Sequence, residues 1–427
     1  MTLDRKLVPA IHDAIEFDYV LPPINTTSLS NGLPLYWLNA GVQDVVEIDW
    51  VFPAGMWYEQ KPGVAHATAG LIKNGTSKKS AHEIHESFEF YGATLRVNPG
   101  NDWCSVSLYT LTKYLPQLLP IVYQLLTDAV FPEQEVQLHK QNAIQRLLVN
   151  LRQSEFVANQ RIDALLFGEA HPYGRYSRQE KIEAVSREDL LTFYQSHYAL
   201  SNVRMFMAGK ITEKEVGWID DIFGKAPIKP AAISQEAFST PAPGERKHMI
   251  INDPNGVQGA IRIGRQFPNR HDPDFAPMVV LNTLFGGYFG SRLMSNIREE
   301  KGYTYGIYSS LSPFVNGGSL TIQTEVGRDV IEGAVKEIYH EMALIREEMA
   351  DDEELLLVKN YLLGNLLGDL DGPFQIIQRW RTLILNGLTV EHFNNNIHVY
   401  KTITPKQLHQ LAQKYLAPED FYEVVVV

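Results

Sequence analysis

FPEQEVQLHKQNAIQRLLVNLRQSEFVANQRIDALLFG, residues Phe131 to Gly168, has a second copy downstream: MADDEELLLVKNYLLGNLLGDLDGPFQIIQRWRTLILNG, residues Met349 to Gly387. Lys140 aligns with Lys359, Leu147 with Leu366 and Gly168 with Gly387, and the separation from Lys to Gly is identical in the two copies. Each copy opens on acidic residues, continues with apolar positions at helical spacing, and closes on a glycine suited to end a helix. The flanks repeat too. SREDLLTFYQSHYALSNVRMFMAGKI from Ser186 and TPKQLHQLAQKYLAPEDFYEVVVV from Thr404 each read as an N-capped amphipathic helix, a turn and an apolar strand. Upstream, CSVSLYTL and SLTIQTEV alternate as half-buried strands do, and lead into helical stretches over Thr112–Ala129 and Arg328–Met349. Matched spacing over such a length predicts an internal duplication, and hence two similar α+β halves. The Pro- and Ala-rich stretch KAPIKPAAISQEAFSTPAPGER lacks periodicity and reads as the joint. The expected division is a domain over 1–226, a linker over 227–245 and a domain over 246–427.

Hydrophobic residues at 44% and charged residues at 21% of 427 suit a globular chain with large cores. The net charge of −12 argues against nucleic acid or an anionic membrane surface as partner. Cys104 is the only cysteine, which excludes an intramolecular disulfide and a cysteine-rich zinc site. The N-terminal stretch has no apolar signal core and no apolar run reaches membrane-spanning length. A cytoplasmic protein is expected, with the periplasm as the alternative if a leader has been removed.

The chemistry centres on Gly63–Thr76, GVAHATAGLIKNGT. This is the frame of an inverted zinc-peptidase helix, in which His-x-x-Glu-His supplies two metal ligands and a general base. His66 is in place, but Ala69 stands at the glutamate and Gly70 at the second histidine. Another candidate lies in AHEIHESFEFYG, where His82 and His85 share a helix face beside Glu86. Its order is His-x-x-His-Glu, so a structural or solvent-facing role is expected. His66 alone reads as a core or groove histidine, and His139, His171 and His197 have no ligand partner at suitable spacing.

These segments resemble the pitrilysin-like (M16) zinc peptidases, in particular the short bacterial type. The resemblance rests on the GVAHATAG frame and the following NGT, on Tyr91-Gly92-Ala93, on His171-Pro172-Tyr173-Gly174, and on Asn282–Gly306, NTLFGGYFGSRLMSNIREEKGYTYG. It implies an α+β fold of two homologous halves, each a mostly antiparallel sheet packed with helices, from units that close like a clamshell around peptides. It also implies a third zinc ligand, a glutamate from a later helix, at a set distance beyond the second histidine. Counted from Gly70, that distance ends at Leu147. Leucine cannot ligate zinc and alanine cannot take a proton, so Ala69, Gly70 and Leu147 together mark a degenerate site with no metal expected in this chain.

The family's other catalytic element is an Arg and a Tyr seven residues apart, matched here by Arg298 and Tyr305. In the family this pair reaches substrate near the zinc. The asymmetric loss implies a non-catalytic subunit: a zinc-bearing homologue as heterodimer partner, zinc in that partner, a peptide substrate, and Arg298 and Tyr305 supplied in trans. Self-association of the isolated chain, a binding protein without turnover, and an active peptidase whose site lies elsewhere are the alternatives. Pro99, without an N–H, is expected to interrupt the strand edge on which a peptide would dock.

Overall fold

The computed structural model describes residues 12–427 except 232, 234–236 and 243, so residues 1–11 and those positions of the expected 227–245 linker lie outside the described residues. Strands β1 (Asn25–Ser28), β2 (Pro34–Asn39), β3 (Val45–Phe52), β4 (Thr94–Pro99), β5 (Cys104–Leu111) and β6 (Arg204–Gly209) form one sheet in the order β1-β2-β6-β3-β5-β4. Strands β7 (Lys247–Ile250), β8 (Gln258–Gln266), β9 (Ile307–Phe314), β10 (Gly317–Gly327) and β11 (Tyr422–Val426) form another in the order β7-β11-β8-β10-β9. Each sheet has one parallel pair, β2–β6 and β7–β11, and is otherwise antiparallel. Laid over one another, the orders equate β2 with β7, β6 with β11, β3 with β8, β5 with β10 and β4 with β9. The same wiring occurs twice, with β1 the addition.

The helices follow the same rule. The first half carries α1 (Val64–Leu71), α2 (Ala81–Phe90), α3 (Leu115–Thr127), α4 (Glu133–Asn150), α5 (Ser154–Phe167), α6 (Gln179–Ala184), α7 (Arg187–His197) and α8 (Glu213–Ile219). The second carries α9 (Phe275–Asn282), α10 (Ile331–Glu347), α11 (Asp352–Gly368), α12 (Pro373–Leu385), α13 (Val390–Thr402) and α14 (Pro405–Tyr415). Both expected N-caps form full capping boxes: Ser186 with Asp189 at the start of α7, and Thr404 with Gln407 at the start of α14. The repeated segment proves to be a helix pair, α4–α5 in one copy and α11–α12 in the other. No helix among the described residues is long and apolar enough to cross a membrane.

The second helix of each repeat crosses to the other half. Ala158, Ile162, Leu166 and Phe167 of α5 pack with Ala260, Tyr422, Val424 and Val426 of the second sheet. Reciprocally, Ile376, Ile377 and Leu383 of α12 pack with Leu38, Val51, Phe206 and Ala208 of the first. Both faces of each sheet are therefore covered. That is why β11 is buried along its whole length and reads YEVVV rather than alternating. Each large side chain so buried contributes about 1.5–3 kcal/mol. The exchanged helices together rival the whole net stability of a domain, about 5–15 kcal/mol. The two halves of one chain interlock.

A buried charge marks each crossing. Asp49 on β3, 2% exposed, accepts from Arg381 at 2.8 Å and Gln378 at 3.0 Å, both on α12. Arg262 on β8, 1% exposed, donates to Asn159 of α5 at 2.6 Å and to Glu325 at 2.7 Å, with Glu155 of α5 at 3.5 Å. Asp49 pairs across the sheet with Phe206 of β6, and Arg262 with Val424 of β11, so the two occupy equivalent positions with opposite sign.

Candidate functional site: a cavity without zinc ligands and an exposed Arg–Tyr pair

Helix α1 begins at Gly63, whose φ of 93° is a left-handed conformation that favours glycine. The Glu59 carboxylate caps it by accepting from the Gly63 and Ala65 amides at 3.0 and 3.1 Å. Arg175, directly after the His171–Gly174 motif, braces Glu59 by donating to its carbonyl at 3.0 Å and approaching its carboxylate at 3.8 Å. Burial raises the Glu59 carboxyl, against the pull of those amides and cations. Neither Glu59 nor Arg175 stood out in the sequence, because a cap from outside the helix has no fixed spacing.

His66 projects from α1 into a cavity of about 780 Å³. Its walls come from α1, from Val136, His139, Lys140, Ala143, Arg146 and Leu147 of α4, and from the segment Arg175–Val185. Leu147, 5% exposed, contributes apolar wall where the resemblance implies a glutamate. Ala69 is buried at 1% in the core of the first half. At Gly70 a Cβ would stand 2.9 Å from Cε1 of His139, so the His139 ring occupies space into which a side chain there would grow. Helix α4 brings His139 beside His66, a proximity that spacing along the chain does not show. Burial lowers the pKa of both imidazoles, and Arg146 and His66 lower that of His139 further. Two neutral imidazoles are nonetheless short of a catalytic zinc site, which needs about three protein ligands. Among the described residues no group of three or more His, Cys, Asp or Glu is placed to hold a metal. The residues present do not fit a catalytic zinc.

The remaining histidines have separate roles. His82 and His85 on α2 are exposed. His171 is buried among Trp57, Phe167, Tyr173 and Phe238, and its Nδ1 accepts from the Tyr173 amide at 3.1 Å. His197 bonds the Pro53 carbonyl at 3.0 Å. Tyr173 in turn donates to Asp102 at 2.5 Å, and Asp102 accepts from the Val315 amide at 3.1 Å, tying the two halves.

Pro99 lies at the last position of β4, the free edge of the first sheet. The Gly100 amide donates to the Trp103 carbonyl, which sets the phase of the β4–β5 ladder: Leu95, Val97 and Pro99 turn outward. The proline breaks no internal ladder bond. It removes one outward donor and leaves the amides of Leu95 and Val97, a milder interruption than expected.

Arg298 and Tyr305 lie away from the cavity wall, on the second half. Arg298 lies in the last turn of a π-helical segment, Met294–Glu300, and Tyr305 sits in the bend before β9. Thr304 pins that bend: its hydroxyl donates to the Glu325 carbonyl at 2.8 Å and accepts from the Gly306 amide at 3.0 Å. The neighbouring Tyr305 side chain is left 95% exposed. The Arg298 Nε donates to the Tyr305 carbonyl at 3.1 Å, and its guanidinium lies 4.5 Å from the centre of the Phe289 ring. Arg298 is thereby held in one place against the backbone of Tyr305, whose side chain stays exposed.

Two family models match the chain in succession: "Insulinase (Peptidase family M16)" over residues 38–169 and "Peptidase M16 inactive domain" over residues 184–362. An "Uncharacterized zinc protease" of Rickettsia bellii is 22% identical, over 94% of this chain and 91% of that protein. The crystal structure of a peptidase M16 inactive domain from Pseudomonas fluorescens superposes with a TM-score of 0.85 at 22% identity, over 94% of this chain and 98% of that one. The periplasmic protease PqqL of Escherichia coli gives a TM-score of 0.76 at 20% identity, over 95% of this chain but 47% of its own. With both family models matched in sequence order over most of its length, the chain belongs to the peptidase M16 family.

Proposed function

We propose that this chain is the non-catalytic subunit of a heterodimeric M16 zinc peptidase and supplies Arg298 and Tyr305 to the site of a zinc-bearing partner. The observation that carries this reading is the placement of the pair: Tyr305 is 95% exposed, Arg298 is held beside it, and neither lines this chain's own cavity. That placement supports action on something outside the chain. The halves here interlock, so a clamshell around a peptide would need a second chain. PqqL supports this indirectly, since this fold accounts for 47% of that protease and leaves room there for a second half.

In the assembled complex the partner would bring the metal and the base. Arg298 would offer fixed N–H donors to a substrate backbone, and the Tyr305 hydroxyl would donate to the carbonyl oxygen as charge builds there. The test is to mix the chain with a zinc-bearing homologue and follow cleavage of an unfolded peptide. Activity is expected only in the mixture, and Arg298→Ala is expected to lower it about 100-fold, as loss of a transition-state donor does. A mixture no more active than the homologue alone would overturn the reading, as would full activity with Arg298→Ala and Tyr305→Phe.

The free edge of β4 favours a second reading, a peptide-binding protein without turnover, because Leu95 and Val97 still offer outward amides. Peptide affinity indifferent to Arg298 and Tyr305 would favour it.

A further inference from the structure

We propose that the cavity at the degenerate zinc position binds a monocarboxylate with an apolar body, such as the free C-terminal end of a short peptide. At about 780 Å³ its volume is that of a small-molecule site, for which about 300–1,000 Å³ is usual. The substitutions that dismantle the metal site also shape the space. Gly70 contributes no side chain, and Leu147 turns a ligand position into apolar wall. Phe156 and Val136 extend that wall.

The charge of the wall names the ligand. The chain as a whole carries −12, yet the cavity is lined by Lys140, Arg146, Arg175 and Lys181 against only Glu59 and Asp163. Glu59 is committed to capping α1 and to Arg175. Asp163 is exposed on the cavity wall and is the one other carboxylate there, so Lys140, Arg146 and Lys181 outnumber it. Arg146 and Lys181 have no side-chain hydrogen bond or ion pair among the described residues, and Lys140 makes one bond, to the Glu183 carbonyl at 2.9 Å. Unpaired cations in a recess focus potential and draw an anion. The cations are spread around an apolar lining rather than gathered into a phosphate cradle, and Glu59 already blocks the start of α1. One negative charge on an apolar body suits that arrangement better than a dianion.

The site is independent of the subunit pairing proposed above and is tested on the isolated full-length chain. Calorimetric titration would compare acetyl-Leu-Phe with its C-terminal amide and with decanoate. At least tenfold tighter binding of the dipeptide acid than of its amide is expected. A preference between the acid and decanoate identifies the source of the carboxylate. Arg146→Gln and Lys181→Gln, both on accessible side chains, are expected to bring the acid down to the level of the amide while the melting temperature holds. Ala143→Trp, which fills the cavity, is expected to abolish binding of both. Equal affinity for acid and amide, no binding of either acid at millimolar concentration, or affinity unchanged in the double charge variant would each overturn the proposal. Because catalysis is not read, these outcomes are separate from those of the reconstitution.

Discussion

The two crossings between the halves share a geometry and differ in sign. At the first sheet, Asp49 meets Gln378 and Arg381 of α12; at the second, Arg262 meets Asn159 and Glu155 of α5. Exchanging the helices would set Glu155 against Asp49 and Arg381 against Arg262. Arg381 beside the buried Arg262 would be a like-charge pair largely out of water, which costs several kcal/mol, so each helix is keyed to one sheet. A duplicated fold with two similar docking surfaces needs such a distinction. The crossings also differ in load. Glu47 accompanies Asp49 on the same face of β3, whereas the equivalent position on β8 is Ala260.

The largest effect follows from separating the halves at the proposed division. Residues 12–226 and 246–427, made as two chains, are expected to form a one-to-one complex and no self-dimers in sedimentation experiments. A stable dimer of either alone would remove the role assigned to the opposed charges. Next comes Arg381→Met, which leaves Asp49 buried without its cation and is expected to cost about 3–5 kcal/mol in urea unfolding. Arg262→Met should cost less, because Glu325 and Glu155 are exposed enough to be rehydrated. Equal costs would show that the two crossings bear equal loads.

The smallest effect is confined to one pH range. Burial, with Asp49 adding to it, raises the Glu47 carboxyl to about 7 from an unfolded value near 4.5, while Arg381 and Arg96 pull it down. The folded state therefore binds the proton more tightly, and Glu47 weakens folding progressively as pH rises from about 4.5 through 7. Glu47→Gln is expected to raise the melting temperature by a few degrees at pH 8 and to leave it unchanged at pH 4. A shift of equal size at both would rule out titration as its cause.

Much of the architecture is legible in the sequence because it is local and occurs twice. The Lys140/Lys359 register aligns helix pairs, Ser186 and Thr404 announce their helices, and CSVSLYTL and SLTIQTEV announce their strands. The crossing of α5 and α12 is not legible. An apolar helix face looks the same whichever sheet covers it, and the charges that decide the matter lie far away in the chain. At the candidate site, Ala69 and Gly70 follow from spacing within one helix, and Leu147 from the distance that the family resemblance implies. The meeting of His66 with His139 could not, because spacing reveals partners within a helix and not between helices that pack. The effect of Pro99 depended on the phase of a ladder, which strand sequence does not give.

The crossing of α5 and α12 sets a problem of timing during synthesis. The apolar face of α5 leaves the ribosome before any strand of the sheet that covers it, and β11, the strand on which it rests, is the last strand of that sheet to be made. The first sheet waits likewise for α12, which is complete only at Leu385, whereas α5 is complete at Phe167. At about 5–20 residues per second, that interval is roughly 10–40 s, with the face of α5 bare throughout and the first sheet bare from the completion of β6 at Gly209. The nascent first half is thus an unfinished object for most of its emergence. Protection of those apolar surfaces during the interval is a need that the stability of the finished molecule does not meet.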